Sequence, residues 1–261
     1  MKIDIILCVS NPIQEIFEKC VSQLLKQAYL NKIIIIHPFF DRFFYPQEEK
    51  IIKIREPKRS CLAYARYLGI QKSTAEYICF VDGDVILHKN HLKQLLEKQQ
   101  TKGGVIEGVL TILDDRKNVN YTMKELKPGE RGFTHNTLIF REYIRNWKPI
   151  FTCAWEDYLI TQFILNQNLS WVRFSQECKS YHIKDYGIFK RNAWGTAGER
   201  MVKKLTKRTI IFRTINYFKR ALIHPFLFQD VSYTKFNIKL AISSLFGYFS
   251  YNKYIYLKKV K

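Results

Sequence analysis

Short apolar runs alternate with helix-like segments along the first half of the chain. Three of these runs, Ile3–Val9, Lys32–Ile36 and Glu76–Val81, are too short for helices and lack the polar alternation of a half-exposed strand. Continuous apolar runs of this length predict strands that are buried on both faces. Their alternation with helical spacing predicts an α/β fold, with a mostly parallel sheet flanked by helices. Weaker signals predict strands at Ile51–Ile54 and Val105–Leu110, and helices at Leu62–Ile70 and His91–Gln99.

Polar residues follow these strands at the point where ligands bind in such sheets, beyond the carboxyl ends of the strands. Asp82-Gly83-Asp84 follows the central run, Ser10-Asn11-Pro12 the first run and His37–Asp41 the second. Two carboxylates separated by one residue can share one side of an extended segment, and hard oxygen ligands suit Mg²⁺ or Mn²⁺. A plain turn is the alternative, because Asp and Gly favour turns. Since the pair ends the most apolar strand, the sequence favours a metal site that holds a diphosphate.

Three stretches around these carboxylates resemble the signature of family 2 glycosyltransferases. Cys61–Ile70 is similar to the family's Ala-Arg-Asn-x-Gly-Ile helix, and Ala75–Asp84 is similar to its Glu-Tyr-Ile strand with a closing Asp-x-Asp. Trp155–Leu159 resembles the family's Glu-Asp motif. The resemblance covers roughly residues 1–200, with the motifs in the family's order. It implies a GT-A fold and inverting transfer of a sugar from a nucleotide-activated donor.

Roles for individual residues follow from that resemblance by position. Asp84 would be the chief metal ligand, and Asp82 would contact the nucleotide ribose or the metal. Arg66 would lie at the nucleotide, and Asp157 would be the catalytic base. Of the family's acidic-Gly-Ser-x-Asp run only Asp41 is present, which makes Asp41 a candidate donor contact. The implied cofactor is Mg²⁺ or Mn²⁺, and the implied partners are a nucleotide-sugar donor and a glycan or lipid-linked glycan acceptor.

Asp157 also suits the role of base on physical grounds. Inverting transfer needs a group that takes the proton of the acceptor hydroxyl as its oxygen attacks the anomeric carbon. Tyr158–Leu165 predicts a helix, so Glu156 and Asp157 fall in its first turn. The alternative is that both acids only complement the helix dipole. The resemblance favours Asp157 as the base and leaves Glu156 as the substitute candidate.

Further polar and aromatic residues complete the predicted site. His182 falls in a predicted strand, where the resemblance implies a late histidine ligand to the metal; an exposed structural histidine is the alternative. Arg191 suits a diphosphate through charge-assisted contacts, and a solvated basic loop is the alternative. The remaining candidates are Ser10 and Asn11 as donor contacts, and His135, Asn136 and Trp155 as acceptor contacts.

The C-terminal quarter of the chain is strongly basic. The whole chain has a formal net charge of +20, and residues 200–261 hold 14 Lys or Arg against one acid, Asp230. Such a charge fits a nucleic acid, an anionic membrane or an anionic substrate. A nucleic-acid-binding protein would place cations along a groove and aromatic residues on a stacking platform. Because the cations here lie beside long apolar helical faces, no nucleic-acid partner is expected.

Two amphipathic helices are predicted in that basic region. Apolar residues recur on one face of Ile211–Leu222 and again in Ile238–Phe249, and no uncharged run there reaches the length that spans a bilayer. We expect a glycosyltransferase domain at residues 1–200 and a basic, amphipathic helical appendage at residues 201–261 that binds an anionic membrane surface. Helices packed on the catalytic domain, with a solvated basic face, are the alternative.

Cysteine use and the N-terminus bear on location. The six cysteines form no CxxC pair, and Cys8 and Cys79 lie inside apolar runs, which suits a reducing compartment. The first residues lack the pattern of a signal peptide. We therefore expect a peripheral enzyme at the cytoplasmic face of the cell membrane. A nucleotidyltransferase of sugar-nucleotide synthesis remains the other enzyme hypothesis, although Ser10-Asn11-Pro12 is not the Gly-rich phosphate loop that it would need.

Overall fold

The chain forms two compact units, Met1–Ile150 with Asp157–Asp185, and Phe151–Glu156 with Tyr186–Lys261. The predicted domain boundary after residue 200 stays a prediction. This computed structural model describes residues 1–9, 13–38, 46–56, 61–113, 119–122, 126, 131–150, 152, 154–183, 188–202, 205–228 and 231–250.

One sheet with helices around it makes up the first unit, which confirms the predicted α/β class. Each predicted strand and helix is present, with small differences at the ends. The elements in chain order are β1 (Ile3–Cys8), α1 (Gln14–Leu25), β2 (Leu30–His37), β3 (Ile51–Arg55), α2 (Leu62–Lys72), β4 (Tyr77–Asp82), β5 (Val85–Leu87), α3 (His91–Lys102), β6 (Val105–Leu113), β7 (Val119–Thr122), β8 (Asn136–Phe140), α4 (Arg141–Ile144), α5 (Glu156–Leu165) and β9 (Trp171–Ile183).

Within the described residues the sheet has nine strands, in the order β3-β2-β1-β4-β8-β6-β9-β5, and β7 pairs with β6. Strands β3, β2, β1 and β4 are parallel to one another, as are β6 and β9. Strand β8 is antiparallel to both of its neighbours, β4 and β6. The side chains of Ile5–Leu7 and Ile33–Ile36 are completely buried, as expected for strands covered on both faces. The carboxyl ends of β1, β2 and β4 therefore meet at one edge of the sheet.

The buried carboxylate of Asp4 ties together the opposite end of the sheet. It accepts hydrogen bonds from Asn31 Nδ2 at 2.8 Å and from Ser73 Oγ at 2.8 Å. The backbone N–H groups of Thr74 and Ala75 donate to the same carboxylate at 2.8 and 2.9 Å. Because a buried charge is stable only when its hydrogen bonds are satisfied, Asp4 fixes the start of β1 against β2 and against the turn before β4.

Helix α2 packs unusually close to β1 at Gly69. A Cβ atom at this position would lie 2.4 Å from Ile6 Cγ2, so a larger residue requires Ile6 to move. The buried residues of the helix, Ala63, Ala65, Arg66, Gly69 and Ile70, share one side. The close approach brings Arg66, on the same helix, to the carboxyl end of β4.

The second unit contains, in its described part, the helices α6 (Ile188–Met201), α7 (Lys207–Phe228) and α8 (Val231–Phe249). Asn192 Nδ2 of α6 donates to Ser243 Oγ and Ser244 Oγ of α8, both at 2.8 Å. Both guanidinium ends of Arg213 on α7 donate to Glu199 of α6, at 2.8 and 3.0 Å. Helices α7 and α8 cover the two segments for which amphipathic helices are predicted. No helix among the described residues has the length and apolar character needed to cross a bilayer.

Candidate active site

Arg66 and Asp82 form an ion pair at the carboxyl end of β4. Arg66 Nη2 donates to Asp82 Oδ1 at 2.9 Å. Arg66 is only 1% exposed, and its guanidinium carbon lies 5.3 Å from the centre of the Phe80 ring. The side chain of Asp82, by contrast, is 31% exposed. Arg66 thus fixes Asp82 while part of the carboxylate stays accessible, and a direct contact of Arg66 with a nucleotide stays a prediction.

Asp84 follows in a tight turn between β4 and β5. A Cβ atom at Gly83 would lie 2.6 Å from Val9 Cγ1, so the turn packs directly on the residue that follows β1. Asp82 and Asp84 are both partly exposed, and the Asp82 backbone N–H donates to His135 O at 3.3 Å. Burial raises the pKa of the Cys20 thiol, and the nearby charges of Asp84 and Asp82 raise it further. The charges of both carboxylates therefore reach Cys20 at this edge of the sheet, and their joint role in metal binding stays a prediction.

Asp157 lies in the first turn of α5, which begins at Glu156 as predicted. Its Oδ1 accepts the backbone N–H of Tyr158 at 2.8 Å, and its Oδ2 lies 3.6 Å from Arg131 Nε. The residue is nearly buried, with 9% of its surface exposed. Burial raises the pKa of Asp157 above the usual range for an aspartate, while Arg131, the Tyr158 N–H and Arg66 oppose that rise. A base whose pKa is raised towards neutrality suits proton transfer better than an ordinary aspartate.

Arg66 connects the two acidic groups of the site. It donates directly to Asp82, and its charge also lowers the pKa of Asp157. Charges perturb a pKa in this way when they lie within a few ångströms of the group. Arg66 therefore acts on two of the candidate carboxylates, Asp82 through a hydrogen bond and Asp157 through its charge.

Glu107, a fully buried acid on β6, organises the surroundings of this cluster. Its carboxylate accepts hydrogen bonds from Arg173 Nε at 2.6 Å, from Trp171 Nε1 at 2.9 Å and from the Phe133 backbone N–H at 3.0 Å. The guanidinium carbons of Arg131 and Arg173 lie 4.7 and 5.2 Å from the centre of the Phe133 ring. Burial raises the pKa of Glu107, and its hydrogen bond with Arg173 opposes this. Through Phe133, Glu107 holds the segment that carries Arg131 in front of Asp157.

His135 and Asn136, the predicted acceptor contacts, lie beside this network. His135 is 5% exposed, and its Nε2 lies 3.8 Å from Glu107 Oε1. Asn136 is completely buried in β8, where its Nδ2 donates to Val109 O at 3.4 Å. Both side chains are thus buried next to Glu107 and β6 in the structure. Their contact with an acceptor stays a prediction.

His182 lies on the strand that pairs with β5, next to the Asp82-Gly83-Asp84 turn, which we call the acidic turn. Strand β9 pairs antiparallel with β5, and His182 is the partner of Val85, the residue directly after Asp84. The side chain of His182 falls outside the described part of the structure. Among the side chains that are described, no group of three or more His, Cys, Asp and Glu could hold a metal ion. Asp82, Asp84 and the backbone position of His182 are nevertheless compatible with the predicted ligand set, because hard oxygen donors and one imidazole suit Mg²⁺ or Mn²⁺.

The other predicted contacts belong to the second unit or lie outside the described residues. Trp155, which has a φ of 72°, donates from its Nε1 to Gly195 O at 2.9 Å within the second unit. Glu156 belongs to the same unit and is 6% exposed. The predicted donor contacts Ser10, Asn11 and Asp41 and the side chain of Arg191 lie outside the described residues.

A family model described as glycosyl transferase family 2 matches residues 39–166 of the chain. This matched region belongs to glycosyltransferase family 2. The matched region contains Arg66, Asp82, Asp84 and Asp157, four of the candidate site residues. The chain is therefore a glycosyltransferase with a GT-A type sheet, and family membership implies a nucleotide-sugar donor and an acceptor. The comparison with curated proteins gave no match.

Two residues of this glycosyltransferase site carry no motif in the sequence. Glu107 could have been noticed as the lone acid in the apolar run Val105–Leu110, since an acid in a buried strand needs a partner. Arg131 has no such signal, because its pairing with Asp157 joins positions far apart in the chain. The sequence therefore signals that Glu107 needs a partner, but only the folded structure shows which partners Glu107 and Arg131 have.

Proposed function

We propose that this glycosyltransferase transfers a sugar, with inversion, from a nucleoside diphosphate donor to an acceptor hydroxyl. The observation that carries the proposal is the position of Arg66, which binds Asp82 at 2.9 Å and lowers the pKa of Asp157. One guanidinium thus keeps a candidate donor-binding carboxylate next to a candidate base. Inversion needs a base on the face of the sugar opposite the departing diphosphate, and Asp157 is the candidate for that role.

Asp157 is the proposed base. It takes the acceptor hydroxyl proton as the oxygen attacks the anomeric carbon and the bond to the nucleoside diphosphate breaks. The Tyr158 N–H and Arg131 orient its two oxygens, and burial keeps its pKa high enough to accept a proton. A positioned base of this kind contributes about 10²–10⁴-fold to the rate. Glu156, the neighbouring acid, is the substitute candidate.

Asp84 and Asp82 are the proposed ligands of a divalent cation, Mg²⁺ or Mn²⁺, with His182 as a third candidate. When bound, such a cation neutralises negative charge on the departing diphosphate. The chain supports this role by holding both carboxylates partly exposed at the end of β4. Arg66 keeps Asp82 in place and limits how it can turn. Ser10, Asn11, Asp41 and Arg191 are the further proposed donor contacts.

The acceptor is proposed to be a glycan or lipid-linked glycan, used at the cytoplasmic face of a membrane. The charge of residues 200–261, with 14 cations and one acid, supports this location. His135, Asn136 and Trp155 stay the candidate acceptor residues. Family membership favours sugar transfer over the two alternatives of nucleotidyl transfer and nucleic-acid binding.

A donor screen tests the proposal. Purified protein would be incubated with nucleotide sugars and Mg²⁺ or Mn²⁺, and the released nucleoside diphosphate measured. Asp84→Ala is expected to abolish release and to weaken metal-dependent donor binding, whereas Asp157→Ala abolishes transfer but retains donor binding. Glu97→Gln, which changes an exposed acid paired with Lys93, serves as the control and retains full activity. Wild-type transfer by Asp157→Ala would remove this residue as the base.

A further inference from the structure

Helix α7 presents a continuous apolar face to solvent. Ile211, Ile215, Phe218 and Leu222 recur at spacings of four, three and four residues, so they share one side of the helix. They are 53%, 44%, 42% and 69% exposed. Phe212 extends the same face and is also exposed. Large apolar patches on a protein surface mark sites of interaction with other proteins or with membranes.

An adjoining side of α7 is buried and fixes the rotation of the helix about its axis. Ile210, Thr214 and Ala221 are buried on that side. Arg213 is held there by two hydrogen bonds to Glu199, at 2.8 and 3.0 Å. The exposed face can therefore not turn inwards without breaking this ion pair and uncovering the buried residues.

Cations border the exposed face. Lys207, Arg208 and Lys219 are exposed beside this face, and the guanidinium carbon of Arg208 lies 5.9 Å from the centre of the Phe212 ring. An apolar face with exposed cations beside it complements an anionic bilayer, where apolar side chains enter below the head groups and Lys or Arg bind them. A second copy of this strongly basic chain would bring like charges together, so it fits the face less well.

We propose that the exposed face of α7, centred on Ile215 and Phe218, docks in the plane of an anionic membrane. The apolar side chains enter the boundary between head groups and acyl chains, and the bordering cations bind anionic lipid head groups. The helix lies along the surface, in keeping with the lack of a spanning helix among the described residues. This docking does not depend on sugar transfer, so the two proposals can fail separately.

Vesicle flotation with the full chain tests the proposal. The wild type is expected to float with vesicles of equal parts phosphatidylglycerol and phosphatidylcholine, and far less with phosphatidylcholine alone. The triple variant Ile215→Ser, Phe218→Ser, Leu222→Ser should bind the anionic vesicles at least about tenfold more weakly. Ile150→Ser, a change at an equally exposed apolar residue of the first unit, should bind as the wild type does. Equal binding by the triple variant and the wild type overturns the proposal.

Two further measurements keep the test decisive. Phe218→Trp adds a fluorescent reporter to the exposed face of α7. Brominated lipid in anionic vesicles should quench its tryptophan fluorescence more than that of the wild type, whereas Ile150→Trp should show no added quenching. If α7 instead binds a second copy of the chain, sedimentation would show a wild-type dimer, a monomeric triple variant and no vesicle binding, which would overturn the proposal. Binding of RNA in place of vesicles would also overturn it. Donor turnover with a soluble acceptor should be unchanged in the triple variant, which separates docking from catalysis.

Discussion

Arg131 Nε lies 3.6 Å from Asp157 Oδ2, so the candidate base has its own cationic partner. The pair is arranged by a network centred on Glu107, which holds Phe133 and Arg173 on the other side of Arg131. Arg131 stabilises the charged form of Asp157 and thereby opposes the effect of burial on its pKa. The balance between burial and this cation sets the pH at which Asp157 can act.

Arg131→Gln should shift the pH dependence of transfer. Loss of the cation removes an influence that lowers the pKa of Asp157. The pKa therefore rises, and the acidic limb of the kcat/KM profile moves to higher pH. A pH–rate profile measures this shift. Arg145→Gln, which alters an exposed ion pair with Glu142, is the matched control and should leave the limb in place. An unchanged limb in Arg131→Gln would show that Arg131 does not act on the base.

Asp157→Asn should separate stability from activity. Because burial raises the pKa of Asp157, the folded state binds its proton more tightly than the unfolded state. The stability from this group is fully present below the unfolded pKa and is lost as the pH rises through the folded pKa. Asn does not ionise, so the variant should melt at an equal or higher temperature than the wild type at about pH 8, with transfer reduced about 10²–10⁴-fold. Thermal unfolding from acid to alkaline pH tests this, and a variant that melts lower at alkaline pH would contradict it.

Glu107→Leu should destabilise the fold by about 3–5 kcal/mol, because it leaves the buried Arg173 guanidinium without its carboxylate. Urea unfolding measures the change, and the exposed Glu97→Gln should alter the free energy of unfolding by less than about 0.5 kcal/mol. The double variant Glu107→Leu, Arg173→Met should recover part of the loss, since no charge is then left unpaired. Equal losses in the single and the double variant would argue against this explanation.

Gly69→Ala should destabilise the protein by about 1–3 kcal/mol, because the new Cβ would lie 2.4 Å from Ile6 Cγ2. Gly195→Ala on α6 is the matched control, since a Cβ there meets nothing within 4 Å. That substitution should be neutral or stabilise the helix by up to about 1 kcal/mol. Denaturant unfolding of both variants tests the packing of α2 on β1, and similar effects at the two glycines would contradict it.

The sequence predicts the parallel half of the sheet well, because strands such as Ile33–Ile36 are buried on both faces and appear as unbroken apolar runs. It does not predict that β8 inserts antiparallel between β4 and β6, since strand–helix alternation contains no information on spatial order. Motif residues Asp82, Asp84 and Asp157 are predictable because each occupies a fixed place at a strand or helix end. Arg131 and Glu107 are not, because their partners are decided only by folding.

The position of β8 also determines when the site can form during synthesis. Strand β4 has β1 on one side, and its other neighbour, β8, includes Asn136, which pairs with Val81 one residue before the acidic turn. Strand β8 lies between β4 and β6 and ends at Phe140. Until the ribosome has released the chain past Phe140, the edges of β4 and β6 that face β8 are unpaired and can pair with other chains. Fragments that end before residue 136 should therefore aggregate, even though they contain both carboxylates of the acidic turn.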